Sequence, residues 1–119
     1  MRYLALIYGD EQRWEGLGDA ERQAMYERYR AFGAKTRERG NLVEGSELRP
    51  TSTATTVRVR DGETLVTDGP FAELREQIGG YYVLDCDSID EAVALAAGIP
   101  AVEHGAIEVR PGVEREDES

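Results

Sequence analysis

Two short segments of this chain are apolar on both of their alternating sets of side chains. In Tyr3-Leu4-Ala5-Leu6-Ile7-Tyr8, the residues Tyr3, Ala5 and Ile7 form one set and Leu4, Leu6 and Tyr8 the other. A strand with one wet face alternates polar and apolar residues, so a strand with no polar set belongs in a sheet covered on both faces. The run Tyr81-Tyr82-Val83-Leu84-Asp85-Cys86 repeats the pattern, with Tyr81 and Val83 opposed to Tyr82, Leu84 and Cys86. At 119 residues the chain has the length of one domain. It must find cover for both sides of these strands.

The remaining elements are read from periodicity and punctuation. Gly9, Asp10, Gly16 and Gly18 mark a loop that carries the single tryptophan, Trp14. A helix is expected over residues 20–39, with Asp19 as N-cap and Gly40-Asn41 as its stop. Its apolar stripe is Met25, Tyr29, Phe32 and Thr36. Residues 41–48 read as a strand weakened by Gly45. Residues 54–60 alternate cleanly, Asp61-Gly62 is a two-residue hairpin turn, and residues 63–67 form the returning arm. Pro70 is placed to start a short helix through Gln77, and Gly79-Gly80 reads as the turn that ends it. Ser88 and Glu91 predict a capping box for a second helix, stopped by Gly98-Ile99-Pro100. The alanines of this helix, Ala92, Ala94, Ala96 and Ala97, suit close packing on a sheet. A short turn runs through His104, and residues 107–110 form the last strand.

Leaving out the inserted hairpin, the order is strand, helix, strand, strand, helix, strand. This is the βαββαβ pattern of a ferredoxin-like α+β sandwich. Two helices cover one face of a four-stranded sheet, which leaves the second apolar face bare. A second copy of the sheet is the simplest cover, so the pattern predicts a homodimer with sheets face to face, as a dimeric α/β barrel. Residues 1–112 are the domain, and residues 113–119 an acidic, flexible tail.

Charge narrows the partners. The net charge is −10; residues 1–40 carry a net +1 and the remainder a net −11. Nucleic acid and anionic membranes both require cationic neutralisation, so neither is an expected partner. The apolar N-terminal run is one strand long, too short for a signal-peptide core or a membrane span, and a cytoplasmic location is expected. Cys86 is the only cysteine; no intrachain disulfide can form, and its apolar context suits a buried small hydrophobe. One His, one Cys and scattered carboxylates offer no metal-ligand spacing, and no glycine-rich phosphate loop is present. No cofactor is expected.

The run Thr67-Asp68-Gly69-Pro70-Phe71-Ala72-Glu73, followed by Gly79-Gly80-Tyr81-Tyr82, resembles the DGPF branch of the YciI-related family. The opening Tyr3-Leu4-Ala5-Leu6-Ile7-Tyr8-Gly9-Asp10 fits the same family. So do Ser52-Thr53-Ala54-Thr55-Thr56-Val57-Arg58 and the ending Ile107-Glu108-Val109-Arg110-Pro111. The resemblance spans residues 1–112 and implies a dimeric α/β barrel of ferredoxin-like subunits. For YciI members it implies a His–Asp pair at a pocket, with the His near the first helix. Residues 21–32 here contain no histidine, and His104 lies before the last strand. Some DGPF proteins resemble accessory partners of extracytoplasmic-function sigma factors.

Asp68 is the catalytic candidate: a carboxylate at a turn beside a pocket can act as general base or orient a ligand. Its alternative role is to cap the turn by accepting backbone N–H bonds. Gly69 and Pro70 answer to backbone geometry. Tyr8, Tyr81 and Tyr82 are ligand-binding candidates on the doubly apolar strands, with core packing as the alternative. Tyr29 joins them from the first helix. Arg49, beside Pro50, is placed to meet an anionic ligand or to pair with a carboxylate. His104 reads as a surface histidine or a proton shuttle. The expected protein is a small homodimer that binds a small molecule near the Asp68-Gly69-Pro70-Phe71 turn, with enzyme activity weak or unknown. The alternative is a non-catalytic regulatory partner, for example of a sigma factor.

Overall fold

The doubly apolar segments become the two central strands. In the computed structural model, which describes residues 1–114, the four-stranded sheet is built from β1 (Arg2–Asp10), β2 (Leu42–Glu47), β5 (Glu76–Asp85) and β6 (Ala106–Pro111). The order across it is β2-β5-β1-β6, with every neighbour antiparallel. Three helices accompany it: α1 (Glu11–Glu15), α2 (Asp19–Glu38) and α3 (Ile89–Ala96). A separate hairpin is formed by β3 (Thr55–Arg60) and β4 (Glu63–Asp68). The result is an α+β fold in which β1 and β5 each have a neighbour on both sides.

Cross-strand register sorts the side chains into two faces. Tyr3 stands opposite Leu84, and Ala5 stands between Tyr82 and Val109. This face carries the core, in which Tyr3, Ala5, Leu84 and Cys86 pack with Ala92, Leu95 and Ala96 of α3 and with Ile99. Tyr29 and Phe32 of α2 close over the same cluster. Both long helices therefore lie on one side. The other set (Leu4, Leu6, Tyr81 and Val83) is only half-buried.

The ends of the elements follow local chemistry. Ser88 Oγ accepts the Glu91 N–H at 3.2 Å, capping α3. The expected reciprocal bond is replaced: the Glu91 carboxylate accepts from Asn41 Nδ2 at 3.0 Å, and that amide also donates to the Asp85 carbonyl at 2.8 Å. Asn41 thus ties the end of α2 to the start of α3. Of the four alanines in and after α3, Ala92 and Ala96 are buried and Ala94 and Ala97 face out. The stripe on α2 holds, with Thr36 buried and its hydroxyl donating to the Phe32 carbonyl at 2.6 Å.

Several boundaries differ from expectation. Gly18, with extended backbone, is the N-cap of α2, and Asp19 is its first helical residue. The Glu21 carboxylate accepts the Gly18 N–H at 3.3 Å and does the capping work expected of Asp19. The Trp14 loop contains the short helix α1. No helix starts at Pro70. An eight-residue segment gains too few hydrogen bonds to offset nucleation unless it can bury a face, and Phe71 and Leu74 are 76% and 61% exposed. Gln77 Nε2 instead donates to the Ala72 and Leu74 carbonyls, both at 3.0 Å. Gly79-Gly80 is strand, not turn. The register passes from Ile7↔Gly80 to Tyr8↔Ile78, leaving Gly79 as the extra residue of a bulge, a usual place for glycine inside a strand. Residues 115–119, most of the acidic tail, lie outside the described residues.

Candidate functional site

A cavity of about 620 Å³ opens at one end of the sheet, where β1 and β2 finish and β5 begins. Its roof is built by α1. The Asp10 carboxylate accepts the Gln12 N–H at 2.9 Å, so the chain turns from β1 directly into α1. Arg22 of α2 holds the far end, donating to the Trp14 and Glu15 carbonyls at 3.2 and 2.6 Å. Glu11 grips the turn after β2, accepting the Thr51 N–H at 2.8 Å and the Thr51 hydroxyl at 2.9 Å. These bonds join three segments that are distant in sequence. They use the charge of Glu11 for structure rather than for a ligand.

Two glycines let the walls approach. Gly45 stands opposite Tyr82, and a Cβ there would enter the tyrosine ring, so the residue that weakens β2 makes room for an aromatic wall. Gly105 lies against the Tyr8 carbonyl with no space for a side chain. That contact sets the neighbouring His104 at the cavity rim.

Aromatic groups dominate the lining. Trp14 and Tyr26 meet edge to face at 5.4 Å between ring centres, a favourable geometry for opposed quadrupoles. The Tyr26 hydroxyl donates to both Glu47 carboxylate oxygens, at 3.2 and 3.0 Å. The Tyr8 hydroxyl donates to Glu108 at 3.1 Å. Burial pushes the Tyr29 phenol up to about 12, and burial likewise raises Tyr82. Burial and the Glu47 carboxylate raise Tyr26. At neutral pH these phenols keep their protons and act as hydrogen-bond donors, not as bases.

The charged groups are divided between structure and solvent. Burial alone would raise the Asp10 carboxyl, but the Gln12 N–H and the Arg75 guanidinium, at 3.3 Å, outweigh it and hold the group below its usual range. Arg13 and Arg49 line the cavity, and neither has a carboxylate within ion-pair distance among the described residues. The His104 ring makes no hydrogen bond among the described residues, and its Nε2 is 4.0 Å from Glu103. Glu103 itself is held by both terminal nitrogens of Arg28, at 3.0 and 2.6 Å.

The five ligand-binding candidates read from the sequence, Tyr8, Tyr29, Arg49, Tyr81 and Tyr82, all line this one cavity. Asp68 does not. It ends β4 in the exposed hairpin, paired with Thr55, and its carboxylate accepts no hydrogen bond among the described residues. The next residue, Gly69, has φ +102°, the left-handed conformation that its lack of a side chain permits. Cys86 is buried in the core, and burial with the neighbouring Glu91 pushes its thiol up, away from nucleophilic use. Trp14, Tyr26 and Glu47 are lining residues that spacing did not single out, and His104, read as a surface histidine or a proton shuttle, lines the cavity as well. The sequence signal for them was an aromatic loop residue ahead of a helix that carries Tyr26 and Tyr29 on adjoining turns.

Fold and cavity together define a small α+β domain with an inserted hairpin and an aromatic, guanidinium-rimmed recess at the sheet end. The chain belongs to the YCII-related domain family, whose model matches residues 1–115. It is 39% identical over 113 residues to the uncharacterized protein R00369 of Rhizobium meliloti (strain 1021), a match covering 93% of this chain and 91% of that protein.

Proposed function

We propose that this protein binds a small molecule in the cavity at the sheet end. The observation that carries the reading is convergence: Tyr29, Tyr82 and Arg49, from α2, β5 and the link after β2, line one recess of about 620 Å³, and Tyr8 and Tyr81, whose side chains belong to the opposite set, line it along their strands. Sites for small ligands are of order 300–1,000 Å³, mostly apolar, with a few polar groups that fix orientation. Phenol donors and the Arg13 and Arg49 guanidinium groups suit a planar or apolar ligand that carries acceptor oxygens. Any acid–base step there falls to His104, the one imidazole of the chain. Asp68, outside the lining, has no part in it.

The ferredoxin-like reading of the βαββαβ order belongs with this proposal, and so does its pairing into a dimer. Leu4, Leu6, Tyr81 and Val83 form an apolar strip along the two central strands on the face opposite the helices, flanked by Glu44, Ser46, Glu108 and Arg110 of the edge strands, and a second sheet would cover it.

A thermal-shift screen of a metabolite library tests the binding reading on wild type, Arg49→Ala and Tyr82→Phe. A ligand at one hundred times its Kd adds about 2.7 kcal/mol, or roughly 10 °C in Tm for a domain of this size. That shift is expected for wild type and should shrink in both variants. A screen in which no compound stabilises wild type rejects the reading in favour of a protein partner.

A further inference from the structure

The hairpin is the least satisfied part of the molecule. Its register pairs Val57 with Val66, Val59 with Thr64 and Thr55 with Asp68, which places the three valines on one face. Arg58, Arg60, Glu63 and Leu65 occupy the other face. The turn is well made: Asp61 and Gly62 have φ of 52° and 78°, the conformation that matches strand twist in a two-residue hairpin. Yet Val57, Val59 and Val66 are 62%, 59% and 64% exposed, and β3 and β4 form a sheet of their own. A two-stranded hairpin alone is marginal in water, and both of its strands are unpaired edges.

The shape says where the hairpin goes. The molecule measures 48 × 47 × 18 Å, and 18 Å is the thickness of a sheet with one layer of helices. The radius of gyration is 16.4 Å, against about 13.5 Å for a compact chain of this length. So flat and extended a shape fits a hairpin that stands off the main sheet as an arm.

We propose that this arm clasps a second copy of the chain, its valine face packed on the partner beside the uncovered sheet face. The inference rests on the sheet-to-sheet pairing proposed above and adds the element that completes it. Area favours this occupant. The arm presents about 190 Å² of flat sheet and the uncovered face about 380 Å². Each alone falls well short of the roughly 800 Å² per partner of a standard interface. In a two-fold pair each subunit gives one arm and receives one, so arms and sheet faces together approach that size. The valine triad itself carries no charge, and the one carboxylate of this face, Asp68, sits at the root of the arm opposite Thr55.

The arm is rooted at the cavity. Pro50 and Gln77 line the recess, Glu11 holds Thr51, and Gln77 holds the Ala72 and Leu74 carbonyls. Docking the arm on a partner steadies both strands that leave this rim, so pairing supports the cavity mouth.

Sedimentation over a dilution series tests the arm in wild type, Val57→Asp, the milder pair Val57→Thr with Val66→Thr, and Leu65→Ala on the opposite face. Wild type is expected at twice the 13.2 kDa chain mass. Val57→Asp should weaken association at least about a hundredfold and the threonine pair about tenfold, with Leu65→Ala unchanged. Far-UV circular dichroism of the threonine pair verifies its fold, because threonine keeps the shape and strand preference of valine. A dimer whose affinity is the same in all variants overturns the arm and leaves sheet pairing intact. A wild type that stays at the mass of one chain overturns both.

Discussion

Two antiparallel strand pairs in this chain are built alike and fare differently. β1 and β5 sit mid-sheet, and their Tyr3, Ala5 and Leu84 lie under α2 and α3. β3 and β4 have the better turn and the cleaner alternation, yet their valines face solvent. Turn chemistry and alternation act within a dozen residues and are enough to define a hairpin. They do not supply a surface to bury it against. Burial in this fold comes from α2 and α3, which return over one face of the larger sheet. Among the described residues, the smaller sheet has no such cover.

The sharpest test of this contrast compares one leucine from each pair. Leu84 is fully buried, and Leu84→Ala should cost about 2–5 kcal/mol of unfolding free energy in urea titration. Leu65→Ala, in the hairpin, should cost no more than about 0.5 kcal/mol. Equal losses would mean that the hairpin shares the core's cooperative unit.

A smaller effect is expected at the hairpin turn. Gly62→Ala forces a side chain into the positive-φ region seen at that residue and should cost about 1 kcal/mol. Amide hydrogen exchange should record the loss in β3 and β4, with β1 and β5 keeping their protection. Faster exchange in β1 would contradict the independence of the two sheets.

The mildest prediction concerns pH. Burial raises the Tyr29 phenol to about 12, above its ordinary value near 10. The folded state therefore holds this proton more tightly than the unfolded chain. Its contribution to stability is complete below pH 10 and is lost as pH rises through about 12. Ultraviolet titration of the phenolates should show a late component that Tyr29→Phe removes. Its survival in that variant would move the burial to another tyrosine.

Much of the fold was legible in the chain because side-chain periodicity is local. The two-faced apolar runs identified the central strands, Ser88 marked the start of α3, and Asp61-Gly62 marked the hairpin. The family resemblance read from the Thr67–Glu73 run and the strand motifs is the family that residues 1–115 match. The errors were also local readings overruled by context. Gly79-Gly80 looked like a turn, but in the sheet Gly79 is a bulge and Gly80 is buried against β2. Pro70 looked like a helix start, but no surface was present to bury Phe71.

The lining of the candidate cavity was half legible. Tyrosines on the doubly apolar strands could be nominated because a polar tip on a buried strand needs a partner. Asp68 was nominated for its motif, and the hairpin carries it away from the cavity. Tyr26 and Glu47 could not be read, since nothing in their spacing brings residues 26 and 47 together, and His104 was read without its place beside them.

Alternation, capping and turn preference are properties of neighbouring residues, so the chain alone identifies its central strands, the starts of α3 and of the hairpin turn, and the second apolar set on β1 and β5. The meeting of β1, α1, α2, β2 and β5 around one recess, and the separation of the hairpin from the main sheet, come from the three-dimensional packing. Both depend on strand register and on the side of the sheet to which each helix returns, and these are set by packing the whole chain at once.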